Sequence, residues 1–156
     1  MPILNPSKAL RTLRKTSLIL GTVLTGVDQR VAVERTDGPD GWNILFIVCH
    51  LRDYEAACIQ RVISMLAHDH PTFETWDNDD LAKQNAYAEQ YFSDVMVDLQ
   101  ARRKEFIALL ESLDEQQWAR TGLNPAQGPG TVLDVAINAG LHDIDHIEQI
   151  TRCTHA

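Results

Sequence analysis

Residues 131–153 decide the fold: Thr131-Val-Leu-Asp-Val-Ala-Ile-Asn-Ala-Gly-Leu-His142-Asp-Ile-Asp-His146-Ile-Glu-Gln149-Ile-Thr-Arg-Cys153. The stretch holds no proline, and Val135, Ala139, His142, His146 and Cys153 recur at the spacing of one helical stripe. Thr131 is a good N-cap, and Asp134, three residues on, is a weaker relative of the capping-box glutamate. The pattern predicts a long amphipathic helix that places two imidazoles on its core-facing side.

Three more segments of the same kind precede it. From about Ser7 to Arg30, after the helix-start signal Asn5-Pro6, Leu10, Leu13, Leu20, Leu24 and Val27 repeat helically. From about Asn43 to Ala67, the residues Ile44, Ile47, Val48, Leu51, Cys58, Val62 and Met65 form one face, and His70-Pro71 closes the segment. From about Leu81 to Leu113, with a break expected near Asn85, the stripe is Tyr91, Val95, Leu99, Phe106, Leu109 and Leu113, with Arg102, Arg103 and Lys104 read as solvated between; Asp79-Asp80 is expected to cap its start. Breaker-rich stretches, 36–41 and 121–130, read as loops, and no alternating segment suggests a strand. The expected fold is all-α, a four-helix bundle occupying 1–156 as one domain. Its connections are long, so simple up-down order does not follow from loop length.

Charge and composition narrow the function. A net charge of −8 disfavours a nucleic-acid partner, which needs a basic face, and equally disfavours an anionic membrane surface. Cys49, Cys58 and Cys153 are odd in number and lack CxxC spacing, which fits free thiols and a cytoplasmic location. Residues 17–27, preceded by Arg11, Arg14 and Lys15, loosely mimic a signal peptide, but two threonines and two glycines interrupt the run. An amphipathic first helix is the simpler reading.

His142 and His146 are the informative pair. At i, i+4 their directions differ by only about 40° around the helix, so both nitrogens can reach one ion. The alternative is a pair of core histidines bonded to backbone or carboxylates. His50, beside the apolar face of the second helix, is the candidate third ligand, whereas Cys49 points about 100° away and reads as core. Three imidazoles would leave a fourth position open for water or substrate, as catalytic zinc sites do. A ferritin-like di-iron site needs two Glu-x-x-His motifs, and none occurs; His142-Asp-Ile-Asp-His146 mimics the zincin pattern with Asp in place of the catalytic Glu. His68, His70 and His155 lie at element ends and are assigned no function.

Two stretches resemble the DinB/YfiT-like superfamily. One is Gly41-Trp42-Asn-Ile-Leu-Phe-Ile-Val-Cys-His50-Leu-Arg-Asp53-Tyr-Glu55; the other is Asn124-Pro125-Ala-Gln-Gly128-Pro-Gly-Thr131 followed by His142-Asp143-Ile-Asp-His146-Ile-Glu-Gln149-Ile150. The resemblance covers about residues 7–153. Many members carry His-Pro where this chain has Asn124-Pro125, but that histidine is not a ligand. The resemblance implies a four-helix bundle, often a homodimer, with zinc or nickel held by His50, His142 and His146. It also implies a thiol-dependent S-transferase or isomerase activity on a small-molecule substrate, using a low-molecular-weight thiol such as bacillithiol or mycothiol. The alternative is a non-catalytic metal- or small-ligand-binding stress-response bundle.

A cation with an open position would hold a thiol as thiolate, or lower the pKa of water. Asp53, Asp143 and Gln149 are candidates to orient the ligating rings, with Asp53 read rather as an ordinary solvated or interhelical residue. Arg52 and Arg61 could hold a substrate carboxylate or simply make surface salt bridges. Trp42, Trp76 and Trp118 are candidates for a dimer surface.

Overall fold

Pro6 occupies the first turn of α1 (Pro6–Val23), where its missing N–H costs nothing, and Asn5 Oδ1 accepts from the Lys8 N–H at 3.0 Å. The computed structural model describes residues 5–155. The first helix was expected to reach about Arg30. It stops at Val23, because Gly26 takes φ +80 and turns the chain, and Asp28 then caps a separate short helix, α2 (Gln29–Glu34). Asn43 caps the long α3 (Ile44–Ala67), its Oδ1 accepting from the Phe46 N–H at 2.8 Å.

The third expected helix divides. Asp77, not the Asp79-Asp80 pair, caps α4 (Asn78–Gln84), and the break at Asn85 is present. Ala86 is left-handed at φ 48, a 3₁₀ turn spans Tyr87–Glu89, and α5 (Phe92–Glu111) follows. Asp114 and Gln117 form a capping box on the four-residue α6 (Glu115–Trp118).

The stretch read as a loop is a hairpin. β1 (Thr121–Asn124) pairs antiparallel with β2 (Gly128–Thr131), with Gly122 opposite Gly130. Gly and Pro carry no alternating apolar signal, so these strands rest on backbone pairing and docking rather than side-chain pattern. Leu123 donates to Pro71 O and accepts from the Phe73 N–H, both at 2.8 Å, pinning the 71–73 segment to β1. A Cβ on Gly122 would lie 2.4 Å from Phe73 Cζ, so only glycine lets them approach. β2 runs directly into α7 (Val132–His155), opened by reciprocal bonds between Thr131 and Asp134.

Two apolar clusters fill the bundle. One joins Leu20, Ile47, Leu51, Val95, Leu99 and Ile150; the other joins Leu13, Cys58, Val62, Phe106, Leu110 and Ala136. Each long helix contributes to both, and the order of its contributions gives its direction. α1 and α7 run from the second cluster to the first, whereas α3 and α5 run from the first to the second. The order is therefore up-down-down-up, with α1 packed mainly on α7 and α3 mainly on α5. The parallel α3–α5 pair requires the long crossover through α4. A Cβ on Gly140 would meet Thr12 Cγ2 at 2.8 Å, which marks the close approach of α7 to α1. Among the described residues no helix is long and apolar enough to cross a membrane.

Between the clusters lies a polar layer with one residue from each long helix: Thr16, Glu55, Arg103 and Asp143. Arg103 was expected to be solvated, but it is only 5 % exposed. Its Nε–H and one terminal N–H hold Glu55 at 2.6 and 2.9 Å. The same terminal nitrogen reaches Asp143 at 2.9 and 3.0 Å. The other terminal nitrogen donates to Leu13 O at 2.8 Å and Thr16 Oγ1 at 3.3 Å, and Thr16 Oγ1 in turn donates to Asp143. Every guanidinium nitrogen thus has an acceptor, which is the condition for burying the charge.

Arg103→Leu should destabilise the fold by about 3–5 kcal/mol, since two buried carboxylates lose their counter-charge. Urea unfolding checks this. Combining it with Glu55→Leu and Asp143→Asn should recover much of the loss.

Candidate metal centre

The candidate site starts from two helix segments. His50 lies two turns inside α3, and His142 and His146 face it from consecutive turns of α7. The antiparallel course of α3 and α7 brings them together beside the polar layer. His142 Nε2 lies 2.9 Å from His50 Nε2 and 3.2 Å from His146 Nε2. One ligand nitrogen from each ring falls within 4.8 Å of the others.

Hydrogen-bond accounting makes this cluster unusual. A neutral imidazole has one N–H and one lone pair. His146 Nδ1 lies 2.8 Å from Gln149 Oε1, which can only accept, so the His146 proton is on Nδ1 and its Nε2 lone pair faces the other rings. Asp37, gripped by Arg152 at 3.1 and 3.2 Å, lies close to the glutamine amide. His142 Nε2 touches both neighbours but has at most one proton to give. Its Nδ1 is buried without a partner among the described residues. His142 Nδ1 stays unpaired in either neutral tautomer and with a cation on Nε2 alike, so it is the convergence of the ring nitrogens that points to a cation. A cation among the three Nε2 atoms would use all three lone pairs. Two imidazole nitrogens bound tetrahedrally to one zinc at 2.0–2.1 Å lie about 3.3 Å apart, close to the separations found here.

The surroundings keep the rings neutral. Burial depresses the His50 pKa to about 4, with the nearby His146 adding to the effect. Burial likewise lowers His142 and His146, the latter opposed by its bond to Gln149. The walls are aromatic. Trp42 meets His50 edge-on at 5.2 Å and lies parallel to His146 at 6.5 Å, while Tyr54 stacks on His142 with ring centroids 3.8 Å apart. Burial also raises the Tyr54 phenol, which keeps its proton.

All three expected ligands therefore meet, and Gln149 does orient one of them. Asp143 does not: the helix turns it away from its neighbour His142 into the Arg103 layer. Asp53 accepts from Arg52, Asn85 and Tyr87 instead, and these bonds outweigh burial to hold its carboxyl below the usual range. Arg52 is buried and bonds Asp53 and Gln90, so it is not a surface ion-pair residue. Cys49, Cys58 and Cys153 are buried free thiols. Of the tryptophans, Trp118 is buried, while Trp42 is half-buried and packs against the first apolar cluster. Sequence reasoning did not assign Tyr54 or Trp42 to the site. Tyr54 stands at i+4 from His50, a spacing that puts it on the same helix face.

Comparison with known proteins agrees with this architecture. The sequence model of the DinB superfamily matches residues 13–150, and the chain belongs to that superfamily. Among solved structures it is similar to YfiT from Bacillus subtilis, described as a probable metal-dependent hydrolase with an unusual four-helix bundle topology. The TM-score is 0.87 at 19% identity, covering 99% of this chain and 88% of that one. No curated protein matches.

Two outcomes follow from this geometry. The unfolded chain binds protons at its histidines below about pH 6.5, whereas folded His50 resists until about pH 4. Stability of the metal-free protein should be full above pH 6.5 and fall by about 3 kcal/mol from His50 alone as pH drops to 4. Urea titrations across that range, with His50→Gln flattening the fall, test it. Gln149→Leu should weaken zinc binding by about 10- to 100-fold in a competition titration, because His146 loses the acceptor that fixes its tautomer.

Proposed function

We propose that the protein is a divalent-metal-dependent enzyme that activates a low-molecular-weight thiol against a small electrophile, with His50, His142 and His146 as the metal ligands and zinc or nickel as the metal. One observation carries the reading: three imidazoles from two helices converge, with one ligand nitrogen of each within 4.8 Å of the others. A cation bound there supplies a positive charge beside an open position, which lowers the pKa of a nucleophile held next to it.

The residues around the cluster favour a thiol over water. No carboxylate is hydrogen-bonded to any of the three rings among the described residues. Asp143 is committed to Arg103 and Asp53 to Arg52, so neither is free to take a proton. A thiol begins at a pKa near 8.5 and needs only a nearby cation to ionise at neutral pH; water begins near 15.7 and gains more from a base. Trp42 and Tyr54 limit the space beside the rings, which suits a small ligand. Hydrolysis is the second reading, favoured by the description of YfiT.

Elemental mass spectrometry on tag-free protein should find about one zinc or nickel per chain, absent in His142→Ala. Metal-free wild type should regain thiol conjugation of monochlorobimane when metal is restored, and His146→Ala should not. Ester hydrolysis without thiol consumption would transfer the assignment to a hydrolase. Bound metal with neither activity would leave a metal-binding bundle. No metal after zinc is offered would overturn the proposal.

A further inference from the structure

A cleft of about 240 Å³ lies beside the histidine cluster, bounded by α3, the 71–73 segment, the hairpin and the start of α7. Tyr54 forms part of its wall and also stacks on His142, so the cleft and the cluster share a side chain. Asn138, one turn before His142 on α7, faces the same space.

Arg61 stands at the far end, and its environment is peculiar. Its guanidinium carbon lies 5.5 Å from the Phe73 ring centroid and 5.4 Å from that of Trp76. These rings position the cation without satisfying its N–H groups, since an aromatic face is a weak acceptor. Among the described residues Arg61 has neither a hydrogen-bonding nor an ion-pairing partner, although the chain carries a net charge of −8. Arg52, Arg103 and Arg152 each grip a carboxylate, whereas Arg61 is held over two aromatic rings at a cleft. Asp134 lines the cleft too, but its Oδ2 is engaged by Thr131 N–H and Oγ1 at 2.8 and 2.9 Å. The Asn138 amide is likewise without a protein partner. A half-buried cation from α3 and an exposed amide from α7 thus face one cleft with no protein acceptor on their donors.

We propose that Arg61 is the anion-recognition residue of this cleft, and that the small molecule reacting at the histidines carries a carboxylate at its remote end. The planar fork of a guanidinium matches a carboxylate with two parallel bonds. A single arginine near Asp134 suits a monoanion better than a phosphate dianion. The span fits a small molecule. Arg61 follows His50 by eleven positions of α3, about 16 Å along the axis. The ring of Phe73 and the ring of Tyr54 line the space between, so an apolar or aromatic body joins the two ends.

The inference rests on the proposed metal-dependent function for what happens at the histidines, but its test does not need the metal. The probes are 3-phenylpropionate and hexanoate, each paired with its own carboxamide, followed by amide and arginine Nε–H NMR shifts. In wild type each carboxylate should bind at least about tenfold more tightly than its carboxamide, with the Arg61 Nε–H and Asn138 amide signals moving. Arg61→Gln should abolish the preference, and Arg61→Lys should restore it in part, which guards against a folding defect. His142→Ala should keep the preference, so absence of metal and absence of carboxylate recognition are told apart. Equal binding of acid and amide in both pairs, or a preference that survives Arg61→Gln, would overturn the proposal.

Discussion

The buried guanidinium of Arg103 is the constraint around which the bundle is organised. It draws one partner from each of the other long helices, Thr16, Glu55 and Asp143, at the level where the two apolar clusters meet. A buried charge tolerates few arrangements, because each unmet donor or acceptor costs free energy. Apolar packing alone would accept several relative heights of four amphipathic helices. The polar layer accepts the one in which all four residues are level, and it thereby fixes the register of α7 against α3.

That register sets the candidate metal centre. Once Asp143 is held by Arg103, His142 and His146 are carried to the height of His50 on the facing helix. The same layer removes the nearest carboxylate from the rings. Burial then keeps the imidazoles neutral, and their lone pairs converge in an aromatic enclosure. On the outer side, Gln149 holds the His146 tautomer. The up-down-down-up order matters as well, because the crossover after α3 brings Phe73 and Trp76 to Arg61, and the hairpin before α7 closes the cleft.

Much of this was legible in residues 131–153 and 43–67. Helical periodicity marked α3 and α7, and the cap at Thr131 marked the start of α7. The i, i+4 histidines with His50 were readable as a ligand set because helix geometry alone puts two of them together. The hairpin was not legible, since Gly122, Gly128, Pro129 and Gly130 carry no alternating pattern, and their pairing depends on docking against Pro71 and Phe73. Arg103 was misread because an arginine amid charged neighbours resembles a solvated face, and the two carboxylates that bury it lie far away in sequence.

By itself the sequence determined the long helices: roughly where they run, which faces are apolar, and which side chains carry metal-binding chemistry. These depend on neighbours within a few residues, through capping, periodicity and rotation about one helix axis. Only the tertiary structure decided the direction and height of the helices, the burial of Arg103, the meeting of His50 with His142 and His146, and the isolation of Arg61 in a cleft. Those features rest on contacts between residues distant in the chain, where satisfying buried charge and hydrogen bonds selects one packing among many that the apolar pattern allows.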